Sequence, residues 1–181
     1  MLGNSSGAVV ALAVLQYHPD VVKTLIPHEP PAATLLPDRQ AIQEHVQKIY
    51  SMYRAEGTPT AFRMLGEFVK LHEQEVIGLV EATNPKNSPY NFSNTQHFWE
   101  REANYYPFHE FDLDALEKQK GKLLLANSEM CDPEAIHYRP NLVLAKKFGL
   151  NVEYFPGGHL GYLTHSKDFA EKLVSVLTEK H

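Results

Sequence analysis

Five residues near the amino terminus, Gly3-Asn4-Ser5-Ser6-Gly7, spell G-x-S-x-G, and the apolar run from Ala8 to Tyr17 that follows reads as a buried helix. That pattern demands a strand, a sharp turn and a helix in immediate succession. The first glycine lets the chain leave the strand, the second lets the helix pack closely, and the serine between them is left exposed. Ser5 is therefore the candidate nucleophile. Only Met1 and Leu2 precede the turn, so the expected strand is a stub and the chain reads as starting inside a fold.

The rest of the chain supplies the alternation such a turn requires. Val21 to Ile26, closed by Pro27, reads as a buried parallel strand, and His28-Glu29-Pro30-Pro31 as the loop after it. Lys122 to Ala126 and Val152 to Phe155 read as two further strands, with a helix from Pro140 to Lys147 between them. That helix stops at Phe148-Gly149, and an amphipathic helix from Lys167 to Leu177 closes the chain. Residues from about Asp38 to Asp114 are helical in period and rich in aromatics and charges, as an insertion would be. The expected class is α/β: a short parallel sheet with flanking helices and a helical insertion. The expected divisions of this one domain are 1–37 for the turn, helix and first full strand, 38–115 for the insertion, and 116–181 for the C-terminal core.

A serine hydroxyl is a poor nucleophile until a base takes its proton, and open α/β sheets place their sites at the carboxyl ends of strands. His159, in the loop Pro156-Gly157-Gly158-His159-Leu160-Gly161 after the last strand, is the candidate base; His165 is the weaker choice. Three carboxylates follow strands and lie between Ser5 and His159 in the chain: Glu129 ranks first, with Asp132 and Glu29 behind it. Spacing alone leaves the three open.

Other chemistries fit less well. His72-Glu73-Gln74-Glu75-Val76 starts like a zinc-protease H-E-x-x-H but has Val76 where the second ligand belongs, so no metal is expected. The formal charge of -5 and the lack of Lys/Arg clusters argue against nucleic acid. Val9 to Leu15 is far too short for a membrane span. The Asn4-Ser5-Ser6 glycosylation triplet lies on a tight turn where a glycan does not fit. A single cysteine, Cys131, excludes an intramolecular disulfide and favours a reducing, cytoplasmic setting, although localisation stays open. Phe98, Trp99, Tyr105, Tyr106, Phe108 and Phe111 read mainly as packing within the insertion, with some contribution to an apolar acyl pocket.

Together, Gly3 to Gly7, the His28-Glu29-Pro30-Pro31 turn, the helical insertion and Phe155-Pro156-Gly157-Gly158-His159-Leu160-Gly161 resemble the α/β-hydrolase superfamily over essentially the whole chain. The resemblance implies a partial α/β-hydrolase fold that starts at the nucleophile elbow, with the insertion acting as a cap. It implies Ser5 as nucleophile, His159 as base, an acid near the end of the strand before Asn127, and the Ser6 backbone N–H as one oxyanion donor. The implied function is hydrolysis of an ester or related acyl bond of a small molecule without a cofactor. Transfer of the acyl group to an acceptor other than water would use the same catalytic residues. The elements expected ahead of the elbow, including a loop that carries the second oxyanion donor, do not occur in this sequence. The alternative is accordingly a non-enzymatic remnant or a partner-binding pseudo-hydrolase, and self-association through the exposed edge of the sheet is expected.

Overall fold

A computed structural model describes residues 1–180. They form two compact units, one of residues 1–31 with 111–180 and one of residues 32–110.

The first unit is built on four parallel strands in the order β1-β2-β3-β4: Leu2–Asn4, Ile26–His28, Leu125–Ser128 and Val152–Phe155. Helix α1 (Ser6–Tyr17) follows β1. Helix α6 (Leu113–Lys118) precedes β3, α7 (Arg139–Phe148) joins β3 to β4, and α8 (Gly161–Thr164) and α9 (Ser166–Lys180) end the chain. Parallel strands with flanking helices are the α/β class expected from the alternating pattern.

Two strands sit later in the chain than their composition suggests. Residues 19–21 form a short 3₁₀ turn, and β2 is Ile26–His28, with Pro27 inside it rather than after it. Proline is normally excluded from a central strand because it has no N–H to give to the ladder. Here Leu25 N–H donates to Lys122 O and Glu29 N–H to Ala126 O, and the donor due from Pro27 between them is missing. The β2–β3 ladder is correspondingly interrupted, with His28 opposite Ala126 and an isolated bridge of Leu25 with Leu123. Pro27 still accepts a hydrogen bond, from Asn141 Nδ2 at 2.9 Å. The late start of β2 puts His28 in the strand and Glu29 immediately beyond its carboxyl end.

Helix α1 is not covered all round. Ala8, Val9, Ala11, Leu12 and Leu15 are buried, but Val10 is 59% and Tyr17 61% exposed. Ile26, Ala126, Phe155, Phe169 and Val176 form a continuous buried cluster with Leu173 and Leu177 against it. Gly149 stops α7 in the left-handed conformation (φ 66°), as a glycine C-cap should.

The second unit contains α2 (Arg39–Glu56), α3 (Thr58–Phe68), α4 (Glu73–Ala82) and α5 (Asn91–His97). Its core packs Ile49, Ala61, Phe62 and Ala103 around Trp99, which stacks on Tyr53 at 5.3 Å. The unit starts earlier than composition suggests because the turn at 33–35 belongs to it: Thr34 Oγ1 donates to His109 O at 2.8 Å. The zinc-like stretch has a structural role, since His72 N–H donates to Glu75 Oε2 across the first turn of α4. No helix among the described residues is long and apolar enough to cross a membrane.

Candidate active site

Ser5 sits between β1 and α1 with φ 54° and ψ −126°, a backbone conformation that side chains avoid. Its N–H is fixed by His28 O at 3.0 Å, and its carbonyl already accepts from Ala8 and Val9 as the helix starts. The two flanking glycines play unequal parts. A methyl group on Gly3 would collide with the Gly7 carbonyl and approach Ala8 Cα to 2.8 Å, whereas one on Gly7 would meet nothing. The close approach expected of the second glycine is therefore made by the first.

His159 and Glu29 are paired with each other, and Asn4, next to Ser5, donates to the His159 carbonyl. His159 Nδ1 lies 2.7 Å from Glu29 Oε2, with the imidazole 6% and the carboxylate 0% exposed. A carboxylate can only accept, so Nδ1 carries the proton in this contact. The other oxygen, Oε1, accepts from Ser128 N–H at 2.8 Å. Burial alone pushes the Glu29 carboxyl up, but the His159 hydrogen bond and the surrounding imidazoles outweigh it and hold the group down at about 2. Glu29 also has a positive φ of 49°, which turns the chain out of β2.

The carboxylates after β3 are placed differently. Glu129 is exposed and continues the β3–β4 pairing through its backbone N–H, which donates to Phe155 O at 2.9 Å. Asp132 Oδ1 accepts from Glu134 N–H at 2.7 Å and shapes a turn. Of the three carboxylates weighed from sequence, Glu29 is the one hydrogen-bonded to His159. The late start of β2 explains why: it puts Glu29, rather than a residue farther along the loop, at the strand's very end. His165 is exposed beside Thr164 Oγ1 at 3.0 Å.

A hydrogen-bond chain that is not legible in the sequence ties the elbow to the histidine loop. Asn4 Nδ2 donates to His159 O at 3.1 Å and to His28 Nδ1 at 2.7 Å. His28 Nε2–H then donates to Ser128 Oγ at 3.1 Å, and Ser128 Oγ–H to Gly158 O at 2.8 Å. Every donor in this chain has an acceptor only if His28 is neutral. Its pKa agrees: burial lowers it to about 4, with Glu29 opposing and His159 assisting. The one available signal was position, because Asn4 and His28 directly precede Ser5 and Glu29.

A second imidazole adjoins this network. His137 is 1% exposed, its ring centroid 3.9 Å from that of His159, and burial holds its pKa well below the usual value. Its Nε2 lies 2.8 Å from Cys131 Sγ and 3.7 Å from Glu29 Oε2, and its Nδ1 is buried without a hydrogen-bond partner. One ligand atom each from Glu29, Cys131 and His137 lies within 4.8 Å of the others, a group that could hold a metal ion. The helical unit holds a separate cavity of about 680 Å³, lined by Tyr53, Arg54, Pro59, Val80, Lys86 and Phe92 among others.

No family model matches the chain. In sequence it is similar to the uncharacterized hydrolase YraK of Bacillus subtilis (strain 168), 27% identical over 99% of this chain and 64% of the relative. It is likewise similar to the zearalenone hydrolase of Bionectria ochroleuca, 27% identical over 99% of this chain and 62% of that protein. The chain thus spans a little under two thirds of the length of these relatives. Both relatives carry the name hydrolase.

Proposed function

We propose that this chain carries the catalytic core of a serine hydrolase of the α/β-hydrolase superfamily, acting on an ester or related acyl bond of a small molecule. The observation that carries the reading is the buried 2.7 Å contact between His159 Nδ1 and Glu29 Oε2, tied through Asn4 to a strained Ser5. The hydrolase names of both relatives support it.

Ser5 Oγ attacks the substrate carbonyl while His159 Nε2 takes its proton. Glu29 holds the imidazole in the Nδ1–H tautomer and stabilises the imidazolium that forms. Glu29 replaces Glu129 as the proposed acid for the geometric reason given above. Ser6 starts α1, so its N–H is one of the helix's unbonded donors and serves the oxyanion, favoured by the helix dipole. His159 then returns the proton to the leaving group, and water attacks the acyl-serine by the same route in reverse. The neutral Asn4–His28–Ser128 chain keeps the loop carrying His159 in place without adding a charge that would compete for Glu29.

A fluorophosphonate probe tests the reading, because it reacts only with an activated serine. Labelling of the wild type that is lost in Ser5→Ala supports it. Equal labelling of both, or labelling mapped to another serine, contradicts it.

A further inference from the structure

Glu29 faces a second set of donors besides His159. Cys131 Sγ lies 2.8 Å from His137 Nε2, and that nitrogen lies 3.7 Å from Glu29 Oε2, the oxygen that accepts from His159. Thiolate, imidazole and carboxylate are the three side-chain donors zinc prefers. A tetrahedral ion at ordinary bond lengths sets such ligand atoms about 3.3–3.6 Å apart. The His137–Glu29 spacing is already close to that. The Cys131–His137 spacing has to open by about 0.7 Å to reach the same range. Cys131 can supply that movement, being half-buried in the turn after β3 and so also giving an ion a way in. His137 Nδ1 makes no hydrogen bond, so Nε2, which already faces Cys131 Sγ and Glu29 Oε2, is the ring nitrogen that an ion would take.

We propose that Glu29, Cys131 and His137 bind a soft divalent cation of the zinc or cadmium class, and that the bound ion silences Ser5. The second half of this statement rests on the proposed function. The thiol and imidazole select such ions over magnesium or calcium, which prefer oxygen. Three protein ligands leave a fourth position for water. Binding releases the Cys131 thiol proton to solvent and forms the sulfur–metal bond. The ion then sits on the carboxylate oxygen that His159 needs, and its two positive charges oppose the imidazolium that must form when Ser5 attacks.

Cadmium titration of the full chain reads the site directly, through the ultraviolet charge-transfer band of a cadmium–thiolate bond. The expected result is a band saturating at one ion per chain, absent in Cys131→Ser, and shifted to at least about tenfold weaker affinity in His137→Gln. Circular dichroism checks that both variants are folded, and Cys131→Ala is the second variant should the serine fail. Zinc should slow fluorophosphonate labelling of the wild type and leave that of Cys131→Ser unaffected. No stoichiometric band, or affinity unchanged in His137→Gln, overturns the site. Zinc inhibition that persists in Cys131→Ser overturns the link to Ser5. If Ser5 fails to label without metal, the proposed function falls while the cadmium titration still decides the site.

Discussion

Replacing Ser5 with glycine should make the protein more stable than replacing it with alanine. Ser5 holds φ 54° and ψ −126°, which a residue with a Cβ adopts at a cost of about 1–3 kcal/mol. Ser5→Ala keeps that strain and removes only the hydroxyl. Ser5→Gly relieves the strain but gives the unfolded chain more freedom, which costs about 0.4–1 kcal/mol. The difference leaves the glycine variant ahead by about 1 kcal/mol, equivalent to about 2–4 °C in Tm for a chain of this size. Urea denaturation of the two variants, followed by circular dichroism, measures it without any assumption about activity. A glycine variant equal to or less stable than the alanine variant would mean that Ser5 is not strained and that the elbow geometry is wrong.

Gly3→Ala should cost about 1–3 kcal/mol because its methyl meets the Gly7 carbonyl, whereas Gly7→Ala should gain about 0.5–1 kcal/mol in open space at the start of α1; equal effects in urea denaturation would refute the asymmetry. Stability should also fall early in acid. His28 has a native pKa of about 4 against 6.5 unfolded, so the unfolded chain binds the extra proton, and about 3 kcal/mol is lost as pH falls from 6.5 to 4. Glu29, about 2 in the native state against 4.5, contributes stability that is present above pH 4.5 and lost as pH falls toward 2. A urea midpoint unchanged between about pH 7.5 and 5 would contradict the neutral, buried His28.

The candidate site is legible in the sequence where the glycine turns and the reactive residue types coincide. G-x-S-x-G fixes a strand–turn–helix, and the glycines of the His159 loop announce a tight return: Gly157 has a φ of 88°, and a side chain there would strike His165 Nδ1 at 2.7 Å. The choice of acid was not legible, because it depends on where β2 ends. Val21 to Ile26 has the composition of a strand, but the sheet instead pairs Ile26 with Leu2 and carries the ladder through Pro27 to His28. Tertiary pairing overrode local propensity by two residues, and those two residues separate a loop carboxylate from one aimed at an imidazole. The grouping of Cys131 and His137 with Glu29 is not legible for a similar reason: it arises from long-range packing that no local spacing reports.

The most direct test of the central claim is the rate of fluorophosphonate labelling at Ser5 in Glu29→Gln beside Glu129→Gln. In the first variant the amide can still accept from Ser128 N–H only by turning its NH₂ toward His159 Nδ1. That drives the imidazole into the tautomer that cannot take the serine proton. The account predicts a fall of about 10⁴ for Glu29→Gln, the scale of the equivalent loss in other triads, and essentially wild-type labelling for Glu129→Gln. Full labelling of Glu29→Gln together with loss in Glu129→Gln would contradict it.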